Sequence, residues 1–122
     1  GFRDYDVFVH EFHHAQKADS PSGTAVMLGK IIIENMERKK KIVTGELKRK
    51  INPDELHVSS TRSGSIPGTH IVGFDGAADA IELKHTARGR QGFALGAAMA
   101  AEWINGKKGF YDINDMMKDI VQ

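Results

Sequence analysis

The stretch YDVFVHEFHHAQKADSPSGTA, residues 5–25, changes period partway along, and that change decides the fold. Tyr5 to Phe12 is rich in aromatic and β-branched residues with charge interspersed, the composition of a β-strand, and His13 to Ser20 is polar enough to be a loop. From Pro21 onward the apolar residues Ala25, Leu28, Gly29, Ile32 and Met36 recur at helical spacing. Ser20 followed by Pro21 suits an N-cap with proline at the first helical position. The expectation is strand, loop and then a helix reaching about Lys40.

Beyond that helix, Thr44 to Glu55 carries Gly45, Asn52, Pro53 and many charges, and reads as a long exposed connection. Three strands are expected at Leu56–Ser63, Thr69–Asp75 and Ala80–Thr86, separated by short turn-rich spacers that suit an antiparallel meander. Phe93, Gly96, Ala97, Ala100, Trp103 and Ile104 form the apolar face of a helix ending at Gly106. Ile113, Met116, Met117 and Ile120 form another behind an Asp112 cap. The order β, α, β, β, β, α, α predicts an α+β fold, a mixed four-stranded sheet with helices packed on one face. The opposite face, lacking intrachain cover, invites oligomerisation.

The 122 residues suit one domain, and 40% hydrophobic with 27% charged residues is an ordinary globular balance. No apolar run approaches the roughly 20 residues of a membrane span. A formal charge of +1 gives no field for nucleic acid. The densest basic run, Arg38 to Lys41, reads as a solvated helix terminus complementing the dipole. With no cysteine there is neither a disulfide framework nor thiolate chemistry, as a reducing compartment allows. Gly1 to Tyr5 lacks the regions of a signal peptide and reads as a cut point inside a longer protein.

His10-Glu11-Phe12-His13-His14 satisfies the zinc-peptidase pattern H-E-x-x-H. That chemistry needs a helix, in which positions i and i+4 stand about 6 Å apart. In a strand running into a loop the two histidines would be about 13 Å apart, too far to share one ion. A different constellation carries more chemistry. The segment Glu11 to Ala25 gathers two adjacent imidazoles, His13 and His14, the Lys17 amine and the Asp19 carboxylate on a loop delivered into a helix N-terminus. Free N–H groups there, with the hydroxyls of Ser22 and Thr24 and the open backbone of Gly23, suit an anion. A histidine can supply a proton at neutral pH. On residue types alone this is either a site for a small anion that needs a proton, or a capped helix beside surface histidines.

The string E-x-H-H-x-x-K-x-D-x-P-S-G-T-A, as it stands from Glu11 to Ala25, resembles the signature of the dihydrodipicolinate reductase family. The resemblance continues through Arg62 to His70, through Glu82-Leu83-Lys84-His85, through Arg90, Phe93 and Gly96-Ala97, and into Gly109-Phe110-Tyr111-Asp112. It implies the substrate-binding and oligomerisation domain of a cytoplasmic reductase that converts 4-hydroxy-tetrahydrodipicolinate to tetrahydrodipicolinate in lysine and diaminopimelate biosynthesis. It also implies an N-terminal Rossmann domain for NADH or NADPH. That domain is expected to be missing here, since the sequence has no G-x-G-x-x-G. Without it the chain is expected to be inactive, with residues 107–122 returning toward it.

By the same resemblance His13 is the proton donor and Lys17 its catalytic partner, while His14, Ser22, Gly23 and Thr24 bind a carboxylate of the cyclic dicarboxylate substrate. Arg90 and Phe93 are carried over as cofactor-side contacts, and assembly through the sheet into a homotetramer is implied. No metal is expected. His10, His57, His70 and His85 read as structural or exposed, with His70 and His85 placed in family-like strings where they could buttress the site.

Overall fold

The computed structural model describes residues 4–121, in two compact units that divide between Arg88 and Gly89. The first unit is a five-stranded mixed sheet with one helix. Its elements are β1 (Asp6–His13), α1 (Gly23–Asn35), β2 (Lys41–Thr44), β3 (Glu55–Arg62), β4 (Thr69–Asp75) and β5 (Ala80–Thr86). The second unit holds α2 (Gln91–Ile104) and α3 (Ile113–Ile120).

The α+β class and mixed sheet agree with the sequence reading, but the strand count and order differ. The sheet runs β2-β3-β1-β4-β5, with β1 parallel to β3 and antiparallel to β4. The expected meander is therefore split, because β1 inserts between β3 and β4. The central position follows from burial, as Val7, Val9 and Glu11 alternate along β1 and all three are buried.

The fifth strand, β2, lies in what was expected to be the approach to a loop. It pairs parallel to β3, Ile42 opposite Leu56 and Val43 opposite His57. The helix stops earlier than expected, at Asn35, because the chain must turn to enter β2. Lys39 accounts for that turn. Its Nζ donates to the carbonyls of Pro53 and Glu55, both at 2.9 Å, and pairs with Asp6 at 2.6 Å. The basic run is thus not a solvated helix end: Lys39 is buried and Lys41 opens a strand.

Helix α1 begins later than expected as well. Ser22, not Ser20, is the N-cap, and its Oγ accepts from the Ala25 N–H at 3.2 Å. The apolar face is as read, with Ala25 and Gly29 buried and Leu28, Ile32, Ile33 and Met36 packed against Val7, Val9, Leu56 and Val58. At Gly29 the helix lies close on the sheet. A Cβ there would stand 3.0 Å from Ile42 Cδ1 and 3.2 Å from Val58 Cγ2. On the opposite face of the sheet Phe8 lies over Gly73, its partner on β4.

In the second unit, Asp112 and Asp115 form a reciprocal capping box that starts α3. Trp103 of α2 donates to Asp119 of α3 at 2.9 Å. Among the described residues no helix is long and apolar enough to cross a membrane.

Two outcomes follow from this packing. Gly29→Val should overfill the contact of α1 with β2 and β3 and lower unfolding free energy by about 1–3 kcal/mol in urea titration, with Gly29→Ala closer to wild type. The second concerns Glu55, whose carboxylate takes both Arg49 Nη1 at 2.8 Å and Nη2 at 2.7 Å. Arg49, followed by the Asn52 N–H, holds its pKa down to about 2 from the ordinary 4.5. Because the folded value is the lower one, the stabilisation is full above pH 4.5 and is lost as pH falls toward 2. The urea midpoint should fall across that window, and less steeply in Glu55→Gln; equal slopes would contradict the assignment.

Candidate active site

Alternation along β1 puts Val7, Val9, Glu11 and His13 on the face that α1 covers. The first two rows of that face are apolar, Val9 lying between Val58 and Val72. Two residues further on, the same face turns polar. Glu11 lies between Ser60 of β3 and His70 of β4, with His85 of β5 opposite His70, and His13 is paired with Arg62. The site is the continuation of the core stripe in polar residues at the C-terminal end of β1.

Glu11 is fully buried and sits at the centre of this row. Its Oε1 accepts from Arg62 Nη2 at 2.8 Å and from the Ser22 N–H at 3.2 Å, and its Oε2 bonds His13 Nδ1. Burial pushes its pKa up, but Arg62 foremost, then the Ser60 hydroxyl beside it on β3, His13 and the Ser22 N–H, bring it down to about 2. It is ionised at neutral pH. His13 retains some exposure and packs edge to face on His70, ring centroids 5.2 Å apart. His70 Nε2 lies 3.3 Å from Ser22 Oγ. Burial, then the neighbouring His13, pushes the His70 pKa down, which favours the neutral imidazole.

The loop between β1 and α1 is tied to the end of β3. The Ala15 N–H donates to the Gly64 carbonyl at 3.0 Å, and the Ser63 N–H to the His13 carbonyl at 3.1 Å. Arg62 also donates to the Asp19 carbonyl at 2.8 Å. Lys17 pairs with Asp19 at 2.9 Å, one of them a quarter and the other over half exposed, so this pair is wet and weak. At the start of α1, Ser22 takes the Ala25 N–H through its hydroxyl and the Val26 N–H through its carbonyl. The N–H groups of Gly23 and Thr24 have no acceptor among the described residues, and both residues are exposed.

The residues singled out from sequence therefore divide. His13 and Ser22 converge on Glu11, and Gly23 and Thr24 extend that cluster as the first turn of α1. Lys17 and His14 lie on the adjoining loop, Lys17 toward Asp19. Arg90 and Phe93 belong to the second unit, where Arg90 is the residue before α2 and Phe93 is 63% exposed. His10 lies in the strand as expected, its ring on Ser59 at 2.6 Å and Thr61 at 3.1 Å. His57 bonds the Gly45 carbonyl at 3.0 Å, and His85 is exposed on β5.

Two residues of the cluster went unread as site residues, Glu11 and Arg62. For Glu11 the signal was available: in a strand, positions i and i+2 share a face, which puts it beside His13. Glu11, His13 and His70 also each offer a donor atom within 4.8 Å of the others, a set that could take a metal ion. The Arg62 guanidinium on the same carboxylate competes with any such cation.

The comparisons with known proteins agree with one another. The family described as "Dihydrodipicolinate reductase, C-terminus" matches residues 1–117. The 4-hydroxy-tetrahydrodipicolinate reductase of Christiangramia forsetii is 42% identical over 120 residues, covering 98% of this chain and 48% of the relative. That of Aquifex aeolicus is 42% identical over 118 residues, covering 94% and 44%. Among solved structures, a dipicolinate-bound dihydrodipicolinate reductase from Paenisporosarcina sp. TG-14 superposes with a TM-score of 0.60 at 27% identity, over 76% of this chain and 37% of that one. The chain thus spans a little under half the length of the curated relatives it matches. It belongs to the C-terminal domain family of the dihydrodipicolinate reductases.

Proposed function

We propose that this chain is the substrate-binding and proton-delivering part of a reductase that converts 4-hydroxy-tetrahydrodipicolinate to tetrahydrodipicolinate in the lysine and diaminopimelate route. The observation that carries the reading is the convergence of His13 and the Ser22 end of α1 on one buried carboxylate. A proton donor and an anion cradle are thereby held at a fixed spacing. Family membership supplies the reaction, and the dipicolinate named for the solved neighbour supports a cyclic dicarboxylate as the ligand class.

In this reading the N–H groups of Gly23 and Thr24, the hydroxyls of Ser22 and Thr24, and His14 bind one substrate carboxylate. Loss of the 4-hydroxyl as water leaves an unsaturated ring. A bound NADH or NADPH would supply hydride at C4, and Arg90 and Phe93, matched by family resemblance, would be this chain's contacts to it. The His13 imidazolium then gives its Nε2 proton to the neighbouring carbon and becomes neutral, so the ring gains one hydride and one proton. Lys17 lends positive charge while that carbon is electron-rich. Residues 107–122 return toward a dinucleotide-binding domain, on which turnover depends, in a cytoplasmic homotetramer. Phe8, an exposed aromatic on the sheet face away from α1, supports assembly through the sheet.

In a full-length enzyme carrying this chain, His13→Ala should lower kcat by about 100-fold or more while KM moves by only a few-fold, as expected when general acid catalysis is removed. Lys17→Ala should likewise reduce kcat more than it raises KM. Wild-type kcat in His13→Ala would overturn the proton-donor reading.

A further inference from the structure

Two features of the site are unexplained by substrate binding and proton delivery alone. A buried carboxylate, Glu11, has all its contacts inside the protein, and Gly68 is held close to the His13 ring. Glu11 faces no ligand: Oε1 is taken by Arg62 and the Ser22 N–H, and Oε2 by His13 Nδ1. An acceptor-only carboxylate at Nδ1 requires the proton of neutral His13 to sit on Nδ1, which makes Nε2 the free position of the ring. Nε2 is the atom that faces Gly68, where an added Cβ would stand only 3.0 Å away. Gly68 also has φ of +154°, a conformation that side chains rarely adopt, so a glycine here both makes the turn and leaves Nε2 uncovered.

We infer that Glu11 is the positioning residue of the reaction: clamped by Arg62, it orients His13 through Nδ1 so that Nε2 carries the transferable proton, and through the Ser22 N–H it fixes the carboxylate cradle relative to that proton. This rests on the reading of His13 as the donor. The physical logic has two parts. A carboxylate on Nδ1 stabilises the imidazolium before transfer and the correct tautomer after it, without itself taking the proton. A second contact to the helix cap makes donor and cradle parts of one rigid unit, and proximity effects are sensitive to displacements of about 1 Å. Arg62 serves the carboxylate rather than the substrate, since its Nη2 is already shared between Glu11 and the Asp19 carbonyl.

The test combines one measurement on the unaltered chain with one mutant cycle. With nitrogen-15-labelled histidine in this chain at a pH where His13 is neutral, the ring should be the tautomer protonated at Nδ1; protonation at Nε2 would overturn the proposal whatever the variants do. In a full-length enzyme carrying this chain, Glu11→Gln should lower kcat by about 10- to 100-fold with KM within about threefold. Adding Glu11→Gln to His13→Ala should reduce kcat by less than about twofold further, because with no donor left the spacing between proton and cradle that Glu11 sets no longer matters. An equal loss in both backgrounds would make Glu11 merely structural and sink the proposal. A His13→Ala enzyme with wild-type turnover would instead remove the donor reading beneath it. If Glu11→Gln fails to fold, the tautomer measurement decides alone.

Discussion

An ionised carboxylate taken out of water is strongly destabilising unless donors and positive charge surround it, and Glu11, fully buried at the middle of the sheet, finds a guanidinium, a backbone N–H and an imidazole. Each of these donors comes from a different element. Arg62 ends β3, Ser22 caps α1, and His13 ends β1. Satisfying one buried charge therefore fixes three chain segments against each other, and the segments so fixed carry the candidate chemistry. Removing any one partner would leave a buried charge short of a donor, which is why the arrangement behaves as a unit.

The sheet supplies the setting for that charge. With β1 at the centre, its covered face meets β3 on one side and β4 on the other, so the row through Glu11 can draw on both. Two rows of valine, leucine and phenylalanine anchor α1 through Ala25 and Gly29. The next row is polar and lies under the first turn of that helix. The core thus positions the helix terminus over the polar row, and the helix terminus in turn completes the polar row through Ser22.

Much of this was legible in the sequence, for identifiable reasons. Strands at Thr69–Asp75 and Ala80–Thr86 were bounded by turn residues, and the apolar face of α1 by its helical period, so both were read correctly. Strand β2 was missed because its four residues, Lys41 to Thr44, carry only Ile42 and Val43 as apolar signal beside a basic run. What makes them a strand is parallel pairing with β3, beside which Lys39 is buried against carbonyls more than ten residues away, long-range contacts that no local pattern encodes. Parallel pairing of β1 with β3 escaped for the same reason: short spacers suggest neighbours, but a central strand is chosen by burial on both sides. In the site, His13, Ser22, Gly23 and Thr24 were visible from the residue string. Glu11 was masked by the H-E-x-x-H pattern, in which it would have served as a base, although period-2 alternation puts it beside His13. Arg62 lies far along the chain, and only the register of β1 on β3 brings it to that carboxylate.

If the first turn of α1 is an anion cradle set by the Glu11 cluster, the chain itself binds a dicarboxylate there. Titration with pyridine-2,6-dicarboxylate, followed by backbone amide chemical shifts, should move Ser22, Gly23 and Thr24 first, and Lys17→Ala should weaken the response. A saturating concentration that leaves those three amides unmoved would contradict it, reducing Ser22 to a helix cap and Glu11 to a buried structural ion pair.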